Sequence, residues 1–326
     1  MPKKGFTYAR FEAIVQAMGD SKDLMYAHEV PGRQIAAWPG YPTIDLKARY
    51  GANRVINTGI DEMWYTAAGI GCALIGIRAV IDHGMYMTNA LTFDLINQWA
   101  SKLHYMHGGA LTLPVVFVIP IAAQEKGLAA QHSEYEEDTW YAHAPGLKTV
   151  FPTTAYDAKG LMVAAMRSPD PIVYIEYAGF RGDAGEVPDE LYEVPIGKAA
   201  VRTEGRDITI VSSGNGMPQV MEATSRLRAE GIGVEAIDLV TLHPMDTETL
   251  VKSARKTGRL LTVDQSKYTL CPGAEVIARV AEAVPGVKVK RIAFPDAPAP
   301  AAPEMMDWMR VNPEHVYAAA KVLLRR

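Results

Sequence analysis

The sequence has little cysteine, no surplus of positive charge and no long apolar run. Its two cysteines, Cys72 and Cys271, lie far apart, whereas a disulfide framework or a zinc site needs more thiols at closer spacing. We therefore expect two buried or inert thiols. The formal net charge is −4 and no block of Lys and Arg stands out, so nucleic acid is not an expected partner.

Gly, Arg or Pro interrupts each apolar stretch well before the ~18 residues that a membrane span requires. The N-terminal segment, MPKKGFTYARFEAIVQAM, is charged and lacks the apolar core of a secretory signal. We expect no membrane association and predict a cytoplasmic protein. Hydrophobic residues make up 48% and charged residues 21% of the chain, which is typical of a globular protein with a core of normal size.

Three widespread motifs are also missing from the sequence: the dinucleotide turn G-x-G-x-x-G, the phosphate loop G-x-x-x-x-G-K-[ST] and the nucleophile elbow G-x-S-x-G. Their absence argues against a Rossmann oxidoreductase, a P-loop enzyme and an α/β-hydrolase.

From residue 54 onward, short apolar runs alternate with longer segments of helical period. Strands are predicted at Arg54–Thr58, Ala79–Asp82, Pro114–Ile121, Lys148–Phe151, Pro171–Tyr177, Asp207–Ser213, Val234–Val240, Arg259–Val263 and Val287–Phe294. Helices are predicted at Glu62–Ile77, Asn89–Met106, Ala155–Arg167, Met217–Glu230, Asp246–Thr257, Ala274–Ala283 and Pro313–Leu324. This alternation predicts two α/β domains with mainly parallel sheets, at residues 1–185 and 186–326. The Gly- and Pro-rich segment Ala178–Pro195 is interpreted as the linker.

Short motifs follow one another in order over roughly residues 50–295. They are Arg54-Val-Ile-Asn-Thr-Gly-Ile-Asp-Glu62, Asp94-Leu-Ile-Asn97, His104-Tyr-Met-His-Gly-Gly109, Gly127-Leu-Ala-Ala-Gln-His-Ser133, Trp140-Tyr-Ala-His-Ala-Pro-Gly-Leu147, Asp157-Ala-Lys-Gly-Leu161, Pro169-Asp-Pro-Ile-Val173, Gly197-Lys-Ala199, Asp238–Leu242, Pro244-Met-Asp246 and Gly273-Ala-Glu275. As a series they resemble the beta subunits of the thiamine-diphosphate-dependent component of 2-oxo acid dehydrogenase complexes. The resemblance implies a transketolase-type pyrimidine-binding domain followed by a transketolase C-terminal-type domain.

The resemblance implies that this chain binds the pyrimidine side of thiamine diphosphate. Thiamine loses the proton at C2 of its thiazolium to its own 4′-imino group, and that imino tautomer forms when a carboxylate is hydrogen-bonded to N1′. Glu62, at the end of a strand and the start of a helix, matches the family's carboxylate. The alternative is a Glu that only stabilises the helix start, by ~0.3–1 kcal/mol.

His132 matches a family histidine that faces the substrate and helps to stabilise or protonate the intermediate. A histidine titrates near neutrality and can both donate and accept a proton. The alternative is a loop histidine that caps a helix together with Ser133.

Four further residues are candidates for contacts in the same site. Thr88 falls where the family has an aromatic side chain against the aminopyrimidine, and Tyr86 lies nearby; which of the two replaces the aromatic is left open. His83 and Gln131 are candidates for contact with the substrate. No metal ligand is assigned to this chain, because the pair His104 and His107 is interpreted as stabilising a helix end rather than as half of a metal site.

The resemblance also implies partners. Gly182-Asp183 lacks the downstream Asn-rich segment with which thiamine enzymes hold Mg²⁺ and the diphosphate, so an alpha-type subunit is expected to supply that site in an α2β2 assembly. The expected substrate is a 2-oxo acid or a related carbonyl compound, with oxidative transfer to a lipoyl acyltransferase. Two alternatives are a non-oxidative carboligase of transketolase type and a regulatory subunit without catalysis.

Two departures from the family pattern bear on the substrate. Val118-Ile-Pro-Ile-Ala-Ala123 replaces an Arg-Gly-Pro turn, and Asp296-Ala-Pro-Ala-Pro300 replaces a Pro-Tyr signature. They indicate that the substrate or the fate of the intermediate differs from that of an ordinary pyruvate dehydrogenase.

Overall fold

A computed structural model describes residues 1–30, 32–84, 89–121 and 137–325 of the chain. The chain divides into two compact units. The first contains the described residues up to Ile121 together with Trp140–Ile196, and the second contains residues 137–139 and those from Gly197 onward. The predicted domain limit at 185/186 stays a prediction. Within the described ranges, no helix combines the length and the apolar character that crossing a membrane would require.

The elements up to residue 196 alternate between strands and helices. In chain order they are β1 (Lys3–Gly5), α1 (Phe6–Asp20), β2 (Leu24–His28), β3 (Ile35–Ala36), β4 (Ile44–Asp45), α2 (Leu46–Tyr50), β5 (Val55–Asn57), α3 (Glu62–Leu74), β6 (Arg78–Asp82), α4 (Asn89–Asp94), a π-helical turn (Leu95–Ala100), α5 (Leu103–Met106), β7 (Val115–Ile121), α6 (Glu137–Ala142), β8 (Lys148–Val150), α7 (Ala155–Arg167), β9 (Ile172–Tyr177), a 3₁₀ turn (Ala178–Gly182) and β10 (Ala184–Glu186).

The main sheet of the first unit contains strands in the order β8-β9-β7-β6-β2-β5, and each of these pairings is parallel. Strand β7 lies inside this sheet, and all its residues are buried, as its unbroken apolar run predicts. Helix α1 packs against α7, and α3 packs against β6. In a parallel sheet the loops that follow the strands meet at one edge, where ligands bind.

The second unit repeats the α/β alternation. Its elements are β11 (Ala200–Thr203), β12 (Ile208–Ser212), a 3₁₀ turn (Gly214–Gly216), α8 (Met217–Ala229), β13 (Val234–Asp238), β14 (Thr241–His243), α9 (Thr247–Thr257), β15 (Arg259–Lys267), α10 (Pro272–Ala283), β16 (Lys288–Phe294), α11 (Pro303–Met309) and α12 (Pro313–Arg325). Its sheet has the order β11-β13-β12-β15-β16, in which only the pairing of β11 with β13 is antiparallel. The predicted fold class, two α/β domains with mainly parallel sheets, is confirmed.

Several stretches differ from the predicted elements. The predictions do not include helices α1, α2 and α11 or strands β1, β2, β3, β4, β11 and β14. The single helix predicted over Asn89–Met106 is interrupted by the π-helical turn, where the Ser101 amide donates to the carbonyl of Ile96, five residues earlier. The predicted linker contains a 3₁₀ turn and β10, which pairs with β1. Backbone pairing with the N-terminus orders this Gly-rich segment although its sequence has no periodicity.

Candidate active site

Three polar side chains lie at the carboxyl edge of the main sheet in the first unit. Glu29 follows β2, His83 follows β6, and Glu62 opens α3 after the short loop that leaves β5. Because β2 pairs in parallel with both β5 and β6, the ends of these strands are neighbours. All three side chains are buried. The edge therefore carries a group of titratable residues at the place where α/β sheets bind ligands.

Helix α3 begins at Glu62 for a local reason. Asp61 is the N-cap, and its Oδ1 accepts a hydrogen bond of 3.1 Å from the Trp64 amide. The buried side of the helix follows the spacing of three and four residues that is typical of an amphipathic helix. Its members are Glu62, Tyr65, Thr66, Gly69, Ile70 and Ala73. Glu62 is thus the first residue of the stripe that faces the sheet.

The surroundings of Glu62 are unusual for a carboxylate. The residue is 7% exposed, and among the described residues no hydrogen-bond donor or cation contacts its side chain. A buried polar group without a partner is costly, and a carboxylate more so than a neutral group. The position at the N-terminus of α3 offsets part of this cost. A buried acid without a partner in the chain is suited to accept a hydrogen bond from a ligand.

Next to Glu62, Tyr65 is bound to Glu29. The Tyr65 hydroxyl donates to Glu29 Oε2 at 2.9 Å, and both residues are buried. Burial, reinforced by the neighbouring Glu29 and Glu62 carboxylates, raises the pKa of Tyr65. The phenol therefore stays protonated and fixes the Glu29 side chain from the α3 side.

One helical turn after Glu62, Thr66 shares a hydrogen bond of 2.9 Å with Nε2 of His83. The His83 ring is fully buried between the rings of Tyr65 and Phe117, at centroid distances of 5.2 and 6.2 Å. Burial lowers the pKa of His83 to about 4, so the imidazole is neutral at physiological pH. The predicted contact of His83 with the substrate stays a prediction.

Beside His83, the carboxylate of Asp82 belongs to a buried ion network. Asp82 is contacted by Arg10 at 3.0 Å and by Arg33 at 2.9 Å, and Tyr26 donates to it at 2.7 Å. Burial alone would raise the pKa of Asp82, but the two guanidinium groups outweigh it and lower this pKa. Glu176, at the end of β9, is the second carboxylate of the network. The network ties the strands β2, β6 and β9 to helix α1.

Several predicted site residues lie outside the described residues: His132 and Gln131, Thr88 and Tyr86. Their proposed roles stay predictions. Of the histidine pair, His107 makes a hydrogen bond of 2.9 Å to the Leu103 carbonyl in the last turn of α5, which fits the interpretation as a helix-end contact. His104 contacts the Leu111 carbonyl at 2.6 Å.

Both cysteines are free thiols, half-buried for Cys72 and buried for Cys271. Burial, reinforced by the Asp264 carboxylate, raises the pKa of Cys271 to about 12, as expected of an inert thiol.

The fold and this edge define a transketolase-type class. Residues 21–177 match the family model described as the transketolase pyrimidine binding domain, and residues 197–316 match that of the transketolase C-terminal domain. A solved structure described as a split gene transketolase, an inactive β4 tetramer, superposes with a TM-score of 0.81 over 99% of both chains at 21% identity, which is a likeness of fold.

Curated relatives give the particular family. The chain is 37% identical to the pyruvate dehydrogenase E1 component subunit beta of Rhizobium meliloti, covering 96% of this chain and 69% of that protein. It is 34% identical to the acetoin:2,6-dichlorophenolindophenol oxidoreductase subunit beta of Cupriavidus necator, covering 96% and 95%. The chain belongs to the family of beta subunits of thiamine-diphosphate-dependent 2-oxo acid dehydrogenase components, and the resemblance inferred from its motifs is confirmed.

Proposed function

We propose that this chain is the beta-type subunit of a heteromeric thiamine-diphosphate enzyme, in which the Glu62 carboxyl group is hydrogen-bonded to N1′ of the cofactor's pyrimidine. The observation that carries the proposal is the buried Glu62 carboxylate, which has no partner among the described residues although it lies at the ligand-binding edge of the sheet. Family membership supports the same assignment.

The residues around Glu62 fit the pyrimidine half of such a cofactor. The bound cofactor would supply a carbon nucleophile, C2 of its thiazolium, for attack on a carbonyl group. Glu62 would hold the pyrimidine, and the bonds of Tyr65 to Glu29 and of Thr66 to His83 would keep the wall beside it rigid. In the proposal Thr88 or Tyr86 packs against the pyrimidine, while His132 and Gln131 face the substrate.

The partner in the proposal is an alpha-type chain that holds Mg²⁺ and the diphosphate. Among the described residues, no cluster of three or more His, Cys, Asp or Glu side chains is arranged to hold a metal ion. An α2β2 assembly in the cytoplasm is part of the same proposal.

A surface of the first unit supports a protein partner. Helix α3 contacts both α4 and the π-helical turn, and large apolar side chains are exposed on these elements and on α5. This α3–α5 surface consists of Met63, Trp64, Leu74, Ile75, Leu91, Trp99, Tyr105 and Met106. Exposed apolar patches of this kind mark interaction sites in proteins that are otherwise monomeric.

For the substrate we propose a 2-oxo acid or a related carbonyl compound, with oxidative transfer to a lipoyl acyltransferase. One relative is named for pyruvate and the other for acetoin, so the two outcomes to separate are 2-oxo acid oxidation and cleavage of a hydroxyketone. The name of the acetoin relative contains an artificial electron acceptor, 2,6-dichlorophenolindophenol. This acceptor provides an assay that needs no lipoyl partner.

Co-expression with the cognate alpha-type chain tests this proposal. In calorimetric titrations with Mg²⁺ present, the lone chain should bind thiamine diphosphate poorly and the heteromer tightly. The heteromer should then reduce 2,6-dichlorophenolindophenol with a 2-oxo acid or with acetoin. Tight Mg²⁺-dependent binding by the lone chain would contradict the shared site, and a heteromer that binds cofactor without any turnover would point to a regulatory subunit.

A further inference from the structure

The second unit contains a cleft of about 610 Å³ beside strand β16, which is an edge strand of its sheet. The cleft lies against α11 and α12, and most of its surface is apolar. Its apolar lining includes Ile292, Phe294, Met309, Val311 and Ala319. This volume is within the range of ~300–1,000 Å³ that is usual for small-molecule sites.

The charged groups of this cleft are of one sign. Lys290 and Arg291 line it from β16 and Arg310 lines it from the helical side, while none of its described lining residues is Asp or Glu. Arg310 is bound to Asp307 at 3.4 Å. Arg291 has side-chain hydrogen bonds to Tyr268 and Cys271 and attracts the carboxylates of Asp264 and Asp296, which are not lining residues. An apolar cleft whose lining carries cations and no carboxylate is complementary to an anion that has an apolar body.

Arg291 is already oriented in the absence of a ligand. Its guanidinium carbon lies 3.8 Å from the centroid of the Tyr268 ring, which is a close stacking contact. Burial acts to lower the pKa of Arg291, but contacts with Tyr268 and Cys271 outweigh it and raise this pKa, so the group stays charged. A guanidinium held in one place loses little entropy when it binds a carboxylate in bidentate fashion.

The helical wall of the cleft presents Trp308, which is 71% exposed. Tryptophan is usually well buried, because its large ring gains most from removal from water. Here the indole offers a planar face for stacking, close in sequence to the apolar lining residues Met309 and Val311. The cleft thus combines a flat aromatic surface with a fixed positive charge.

We propose that this cleft is a binding site for a small aromatic carboxylate. The ring of the ligand packs against Trp308 and the apolar lining, and its carboxylate binds Arg291 and Lys290. The site lies wholly within the second unit. It depends neither on thiamine diphosphate nor on Glu62. A negative result for this site would therefore not bear on the proposed function, and a negative result for the proposed function would not bear on this site.

Direct titration of the full chain with naphthalene-2-carboxylate tests the site. By calorimetry we expect one saturable site. Affinity should fall about tenfold or more in Arg291→Gln, because a charge-assisted hydrogen bond is lost, and in Trp308→Ala, where the exposed ring can be removed without disturbing the core. Arg228→Gln, an equal charge change on an exposed residue of α8 outside the cleft, should bind like the unchanged chain. The neutral 2-naphthamide should bind at least tenfold more weakly than the acid.

Three results would overturn the proposal: no saturable binding, equal affinity for the acid and the amide, or undiminished affinity in Arg291→Gln. A second copy of this chain is the other possible occupant of the cleft, and sedimentation velocity tests for it. If the chain self-associates and Trp308→Ala abolishes that association, the cleft is a contact between copies rather than a ligand site.

Discussion

His83 gives a direct prediction at the scale of single residues. Its pKa is about 4 in the folded chain and about 6.5 when unfolded, so between these values the unfolded chain binds more protons. The free energy of unfolding should therefore decrease as the pH falls from about 6.5 to 4, by ~3 kcal/mol at most from this group. His83→Phe should remove this slope, and the thermal midpoints of variant and unchanged chain, measured at pH 5 and 7, will show whether it does. Parallel pH dependences would contradict the neutral, buried imidazole.

Asp138 leads to a prediction of the opposite sign. Burial, reinforced by Asp264, raises its pKa to about 7, and Ser266 donates to it at 3.3 Å. A raised pKa contributes stability below the unfolded value of about 3.9, and this contribution is lost as the pH rises through 7. Asp138→Asn should therefore be more stable than the unchanged chain at pH 8, in thermal melts.

The exposed substitution Asp20→Asn is the matched control, and it should change the midpoint little at any pH. If Asp138→Asn behaves in the same way as Asp20→Asn, the carboxyl of Asp138 does not resist ionisation.

Site residues that lie within a recognisable local sequence motif can be proposed from the sequence. Contacts between residues that are far apart along the chain cannot. Glu62 is assigned from the resemblance of the local segment Arg54–Glu62, a strand end followed by a helix start, and its role stays a prediction. The network around Asp82 was missed, since Arg10 and Glu176 approach it only after the chain has folded. The Tyr65–Glu29 bond was missed for the same reason.

At the scale of elements, the packing of α3 on β6 depends on a glycine. A Cβ at Gly69 would approach Cδ1 and Cγ1 of Ile81 to 2.5 Å, whereas a Cβ at Gly71 would meet no atom within 4 Å. Gly69→Ala should lower the free energy of unfolding by ~1–3 kcal/mol through overpacking. Gly71→Ala should raise it by ~1 kcal/mol through helix propensity. Urea unfolding of both variants tests these two predictions. Equal effects on the free energy of unfolding would mean that α3 does not lie this close to β6.

Elements with a strong period were predicted to within a few residues. Helix α7 has the predicted bounds Ala155–Arg167. Helix α12 begins at the predicted Pro313, directly after Asn312, whose Oδ1 accepts a hydrogen bond from the His315 amide at 3.0 Å. The predictions of secondary structure failed where contacts between distant segments determine the local conformation. The π-helical turn interrupts the predicted helix, and β10 is a strand because β1 pairs with it.

At the scale of the whole molecule, the α3–α5 surface should bind the alpha-type partner. Trp64 is 55% exposed, so Trp64→Lys places a charge on this apolar surface without disturbing the core. The variant should reduce co-purification with the partner while leaving the thermal midpoint of the lone chain nearly unchanged. Val201→Lys, on an exposed position of β11 in the second unit, is the control. Full assembly by Trp64→Lys would exclude this surface from the interface.

The proposed role of Glu62 requires contact between its carboxyl group and the cofactor's pyrimidine, and the rate of proton exchange at C2 reports on this contact. In the heteromer, hydrogen–deuterium exchange at C2 of bound thiamine diphosphate can be followed by NMR after rapid quenching. We predict that Glu62→Gln slows this exchange by orders of magnitude while the cofactor remains bound. Exchange at an undiminished rate in fully loaded Glu62→Gln would contradict the assignment of Glu62.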